Sequence, residues 1–163
     1  MRLALGQAQL ASAAGEVPVG AVLVSGAGEV LASAHNLTEG GADPTAHAEM
    51  LCLRRAAGAG AGWRLLESTL YVTLEPCPMC AGAALQARVG ALVYGARNPL
   101  LGADGSWVAL LPPQEGAVEE PPRRPHPFHP DMRVRRGVLE GECGEVMRAF
   151  FRRRRQEARD TAA

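Results

Sequence analysis

Two short segments constrain this chain more than any other feature: Ala46-His47-Ala48-Glu49 and, thirty residues after the histidine, Pro76-Cys77-Pro78-Met79-Cys80. Each stands where an extended or loop stretch gives way to apolar residues at helical spacing. Side chains three apart in a first helical turn share a face, so Cys77 and Cys80 can hold one ion. Adding His47 requires a fold in which two helix starts converge. One His and two Cys leave a tetrahedral zinc one open position, which is how catalytic rather than structural sites are built. The free thiol pKa, near ~8.5, is lowered by a helix N-terminus and by metal. Zinc brings the pKa of a bound water from about 15.7 to about 7. Glu49 follows the histidine by two and can face that water without binding metal, so it is the expected proton carrier.

Taken alone, a CxxC pair also fits a redox couple or half of a structural zinc site. The structural reading needs a fourth ligand, Cys52 or Cys143. Cys52 lies five residues after His47, off the ligand face, and Cys143 falls on an apolar stripe. The HxE and PCxxC pair at this spacing is the signature of zinc deaminases. Nothing else marks the four cysteines as a disulfide framework. No apolar run reaches the roughly 18–20 residues of a membrane span, and the start lacks the layout of a secretory signal. The expectation is one soluble, unsecreted domain over residues 1–163 with no membrane partner.

The net charge is zero but unevenly placed: residues 1–120 carry six Arg against eleven acids, and residues 121–163 carry eleven Arg against six. Positive charge is therefore gathered at the C-terminus. The pattern predicts a helix over 2–14 ended by Gly15, and a hairpin of strands 17–24 and 30–35 with Pro18 at the strand's start or edge. A helix is expected over 45–57 with Thr45 as its cap. Strand 68–75, helix 78–88 and strand 89–95 form a crossover, which implies parallel pairing. A Pro-rich insert follows at about 112–130, then a strand over 133–139 and a basic helix at about 140–156. The class is α/β, a mixed sheet of about five strands flanked by helices. The first helix begins almost at residue 1, as expected of a domain cut from a longer precursor or trimmed at its start.

The stretches Glu16-Val-Pro-Val-Gly-Ala-Val-Leu-Val24, Asp43-Pro-Thr-Ala-His-Ala-Glu49 and Thr69-Leu-Tyr-Val-Thr-Leu-Glu-Pro-Cys-Pro-Met-Cys-Ala-Gly-Ala83 resemble the tRNA-specific adenosine deaminases. The likeness covers nearly the whole chain. The resemblance implies a cytidine deaminase-like three-layer fold, one Zn2+ per chain held by His47, Cys77 and Cys80, and catalysis by Glu49. It implies hydrolysis of the wobble adenosine to inosine in a tRNA anticodon stem-loop, most simply of an arginine tRNA, and a homodimer. It assigns Asn36 to the target nucleoside and Val17, Leu74 and the Ala48 backbone to the purine; a buried Asn36 that merely satisfies backbone is the alternative. Arg97 and Asn98 are expected near the RNA backbone.

Guanine and cytosine deaminases share variants of the first two stretches, so the C-terminal half carries the choice of substrate. Cys143, Val146, Met147 and Phe150 form a core stripe, and Phe151 falls at its edge beside Arg148 and Arg155. An aromatic beside guanidinium groups is a platform for an unstacked base, with arginines on phosphates. Arg148, Phe150, Phe151, Arg152 and Arg155 are therefore RNA candidates, and the competing view is a solvated helix end. His126, Phe128 and His129 are placed at the rim, with His129 as an RNA contact. The Pro-rich insert and Gly102-Ala-Asp-Gly-Ser-Trp107 look like the plastid enzymes of plants and algae, which implies the plastid stroma; without that likeness the expectation is cytoplasmic. The rivals are a free-base or nucleoside deaminase of the same fold, and a non-catalytic zinc RNA-binding module.

Overall fold

The computed structural model describes residues 1–113, 126, 127 and 129–162. Its elements run α1 (Arg2–Ala13), β1 (Gly20–Val24), β2 (Val30–His35), α2 (Ala48–Ala56), β3 (Thr69–Leu74), α3 (Pro78–Gln86), β4 (Ala91–Ala96), β5 (Arg133–Arg135) and α4 (Glu140–Thr161). The strands form one sheet in the order β2-β1-β3-β4-β5. β1 pairs antiparallel with β2 and β3, while β3, β4 and β5 run parallel. Helices α1 and α4 contact each other and the sheet, α1 over β1 to β3 and α4 over β3 and β4. α2 packs on β1 and β2 and against α3. The result is the expected three-layer mixed sheet.

Small residues bring these layers together. Helix α1 buries Ala4, Leu5, Ala8 and Ala11, a stripe at spacings of three and four. It lies so close to β1 that a Cβ on Gly20 would stand 2.1 Å from the Ala4 carbonyl oxygen and 2.4 Å from the Ala8 nitrogen. A Cβ on Gly95 would likewise meet the Cys143 sulfur of α4 at 2.4 Å and the Thr73 carbonyl oxygen at 2.7 Å. Both obstacles are rigid or buried. Gly20→Ala is therefore expected to displace α1 and cost about 1–3 kcal/mol or more, as overpacking does. A lower urea midpoint with an unchanged m-value would show it, and an unaltered midpoint would contradict the close packing.

Several boundaries differ from the sequence pattern, each for a local reason. β1 starts at Gly20 rather than residue 17, because Pro18 has no N–H and the Val19 N–H turns back to the Val17 carbonyl at 2.8 Å. Helix α2 starts at Ala48, with His47 as its N-cap. Thr45 is not the cap, because Asp43 accepts both its N–H and its hydroxyl at 2.7 Å. After α2 the chain winds through a wider π-helical turn, Ala57–Ala61. β5 ends at Arg135 instead of residue 139, where Arg136 turns its side chain to Asp104 and Gly137 takes a positive φ of 73°. α4 runs past residue 156 to Thr161. Most of the insert expected over 112–130, including Phe128, lies outside the described residues.

The main core lies on the face of the sheet covered by α2 and α3, where Leu23, Leu70, Val72, Leu92 and Tyr94 share a face in register and meet Cys52 and Ala84. Cys143 joins Leu5 and Ala96 in a smaller cluster under α4. No helix among the described residues is long and apolar enough to cross a membrane.

Candidate metal centre and adjoining cationic groove

β3 ends at Leu74, and Glu75-Pro76 leads to Cys77, the N-cap of α3, with Pro78 in the first turn, where its missing N–H costs nothing. Neither Cys77 nor His47 makes a side-chain capping bond, and both are extended, with φ of −73° and −70°. Two helix starts thus deliver two ligands to one point, and Cys80 adds a third from the first turn of α3. Bonds of about 2.3 Å to sulfur and about 2.0–2.1 Å to nitrogen at a tetrahedral angle hold N and S about 3.6 Å apart. His47 Nδ1 lies 3.6 Å from Cys77 Sγ and 3.5 Å from Cys80 Sγ. The three ligand atoms all lie within 4.8 Å of one another. The donor set therefore fits zinc with one position left over.

The electrostatics agree with a ligand role. Cys77 is held down to about 4, first by the hydrogen bond from the Cys80 thiol and then by His47, against the cost of burial. Cys80, sharing that proton, is pushed up. The bond to Cys77 raises His47. Cys52 and Cys143 take no part. The Cys52 thiol donates to the Ala32 carbonyl at 3.4 Å and burial pushes it up to about 12, while the Cys143 thiol faces the Val138 carbonyl at 4.0 Å. A fourth cysteine ligand, needed for the structural-zinc rival, is missing among the described residues.

Glu49 stands in the first turn of α2 with only 4% of its surface exposed. Burial pushes its carboxyl up to about 7, helped by the Cys77 thiolate and opposed by the backbone and His47. A carboxyl poised there can both take and return a proton at neutral pH. Asn36, buried just after β2, accepts the Ala48 N–H on its Oδ1 at 3.1 Å and donates its own N–H to Val19. The Ala48 amide is thus engaged by Asn36 rather than free for a purine. The Asn36 Nδ2 makes no protein hydrogen bond among the described residues.

Beyond the ends of β3 and β4 lies a groove of about 810 Å³. It brings together Val17, Leu74, Arg97, Asn98, Arg148, Phe151, Arg152 and Arg155, although they come from four separate parts of the chain. Phe151 is 41% exposed, whereas Phe150 is buried at 4% with its ring edge-on to Phe151. Phe150 is a core residue, which corrects its inclusion among RNA contacts. Arg148 and Arg152 converge on Glu145 at 3.0 and 2.7 Å, and these arginines hold that carboxyl below its ordinary range. Arg153 instead donates to the Ser12 carbonyl at 2.9 Å and, with Arg154, covers the Phe150 ring. His129 is a second correction: its Nε2 is 2.7 Å from the carbonyl of Val89, before the start of β4, at the end of the sheet away from the metal cluster.

Three buried acids escaped the sequence reading. Glu16 accepts the N–H groups of Thr38, Glu39 and Gly40 at 2.7–3.2 Å and shapes the loop after Asn36. Glu75 accepts the Asn98 and Asp104 N–H groups and the Ser106 hydroxyl. Asp104 takes a two-pronged bond from Arg136 and the hydroxyl of Tyr94. The only sequence hint was position: Glu16 and Glu75 each stand directly before a Pro or Val-Pro at the end of an apolar element.

The family model of MafB19-like deaminases matches residues 1–155. The tRNA-specific adenosine deaminase of Bacillus subtilis is 45% identical over 96% of this chain and 89% of its own length. The chain belongs to the tRNA-specific adenosine deaminases. A chloroplastic tRNA(adenine(34)) deaminase of Arabidopsis thaliana is 58% identical over 94% of this chain, which spans 12% of that protein's length. A solved structure from work on A-to-I editing by tRNA:A34 deaminases superposes with a TM-score of 0.73 and 41% identity, covering 90% of this chain and 96% of the other. In this family setting, the cluster of His47, Cys77 and Cys80 is that of a metal-dependent deaminase with a single zinc site.

Proposed function

We propose that the chain converts the wobble adenosine of a tRNA anticodon to inosine with release of ammonia, an arginine tRNA being the first substrate to try. The observation that carries this reading is the groove lined by Leu74, three residues before the ligand Cys77, together with four arginines and the exposed Phe151 ring. A free base needs no such surface, but an unpaired RNA loop does: guanidinium groups pair with phosphates and Phe151 offers a face for one base. The relatives' substrates support it. An anticodon nucleotide is already unpaired, so extruding it costs less than the few kcal/mol needed inside a duplex.

Zinc bound at His47, Cys77 and Cys80 would supply a water ionised near neutral pH. The water oxygen would add to C6 while Glu49 takes one of its protons and passes it to N1; Glu49 would then take the second proton, from the hydroxyl formed at C6, and give it to the amine that leaves as ammonia. Burial keeps those protons from exchanging with solvent. Asn36, its carbonyl fixed by the Ala48 N–H, directs its free Nδ2 at an acceptor on the nucleoside. We place the protein in the plastid stroma by its likeness to the chloroplastic relative, and we propose a homodimer, to be checked by sedimentation.

Incubation with unmodified tRNA transcripts and with free guanine, cytosine and adenine tests the reading. Inosine at the wobble position supports it, and turnover of a free base without RNA defeats it. Replacing Arg148, Arg152 and Arg155 together by Ala is expected to raise KM for tRNA with little change in kcat. Each lost phosphate contact should reduce the slope of log affinity against log salt by about 0.7–1. An unchanged KM and slope would return these arginines to the role of a solvated helix end.

A further inference from the structure

We propose that Glu75 is a positioning residue for RNA, fixing the wall of the cationic groove relative to the metal centre; this rests on the RNA reading above. The residue lies two before the ligand Cys77, and its own N–H donates to the Ala96 carbonyl at 2.7 Å, so its backbone belongs to the sheet. The side chain is 1% exposed and points into the loop after β4. There Oε2 accepts the Asn98 N–H at 3.1 Å and the Ser106 hydroxyl at 2.5 Å, and Oε1 accepts the Asp104 N–H at 2.9 Å. No salt bridge to Glu75 exists among the described residues. Its carboxylate is matched by loop donors alone.

The loop is built around this group. Gly102 passes so near that a Cβ there would stand 2.3 Å from the carboxyl carbon of Glu75. The Ala103 N–H donates to the Pro76 carbonyl at 2.8 Å, joining the loop to the residue between Glu75 and Cys77. On its outer side the same loop presents Arg97, Asn98, Leu100 and Leu101 to the groove, Leu100 being 81% exposed. One buried carboxylate therefore ties the segment that delivers a metal ligand to the segment that faces RNA. Bonds to an ionised acceptor are shorter and stronger than neutral ones, so the tie is stiff.

The test is Glu75→Gln, which keeps the volume and one acceptor but replaces the other oxygen with a donor that cannot receive the Asn98 N–H. With an anticodon stem-loop as substrate, KM should rise roughly ten- to a hundredfold, the size of one or two lost base or phosphate contacts. kcat and one zinc per chain should stay unchanged, and the salt slope should fall by about 1 as Arg97 leaves its phosphate. Ser106→Ala, which removes one of the three bonds and disturbs folding less, should shift KM the same way by a smaller factor. Should Glu75→Gln fail to fold, Ser106→Ala carries the test. Unchanged KM and salt slope in the variants that fold, or loss of zinc or of kcat in place of the KM shift, would overturn the proposal. If the unmodified protein does not deaminate the stem-loop, the functional reading fails first; normal activity there with unshifted variants leaves that reading standing and removes only the role of Glu75.

Discussion

Replacing Glu49 by Gln should abolish most turnover, lowering kcat by about 10²–10⁴-fold, while the protein still binds one zinc per chain. The side chain is buried, its carboxyl is pushed up to about 7, and it lies outside the ligand triad. Gln reproduces its shape and can still form hydrogen bonds, but it cannot accept and return a proton. Each turnover needs that shuttle twice, since one proton of the water must reach N1 and the other the departing amine. Metal analysis alongside inosine formation separates the possibilities. Zinc lost together with activity would mean that Glu49 holds the metal. Zinc and activity both retained would assign the proton to another group.

The largest expected effect on stability comes from Asp104→Ala. The Asp104 side chain is fully buried and takes both Arg136 Nε and Nη2, with the Tyr94 hydroxyl at 2.8 Å. Removing one partner of a buried ion pair leaves the other desolvated and unmatched, at a cost of about 3–5 kcal/mol. Arg136 would keep the Pro112 carbonyl at 2.8 Å, which offsets part of that loss. A urea midpoint falling by less than the equivalent of about 1 kcal/mol would place this pair with surface ion pairs, whose contribution is of that size. Zinc content should not change in Asp104→Ala, because Asp104 lies on the loop after β4 and Arg136 follows β5, neither on the ligand helices.

The metal cluster was legible in the sequence, because metal ligation needs particular atoms at particular spacings. His47, Glu49, Cys77 and Cys80 could be placed from HxE, CxxC and two helix starts alone. The strand-helix-strand crossover and the hairpin followed from apolar periodicity. The buried acids did not. Glu16, Glu75 and Asp104 had no role assigned from the sequence: the side-chain partners of Glu16 and Glu75 are mostly backbone N–H groups, which carry no side-chain signal, and Asp104 meets Arg136, 32 residues away. Phe150 and Phe151 are adjacent, and the helical stripe alone set Phe150 in the core and Phe151 at its edge, as observed; counting Phe150 also as an RNA contact went against that stripe. Thr45 failed as a cap because Asp43, two residues earlier, offers its N–H a closer partner than a helix would. His129 follows a proline-rich path, so nothing local could show which end of the sheet it reaches.

Two helices resting on bare α-carbons of the sheet, α1 at Gly20 and α4 at Gly95, bear on where this architecture is free to diverge. Added bulk at either point has no outlet, so any larger residue there must displace a helix. Novelty is then confined to the mouths of the strands, where loops tolerate insertion and new side chains. A scaffold closed to change across its interior and open at one rim can acquire a different target while keeping the same catalytic heart.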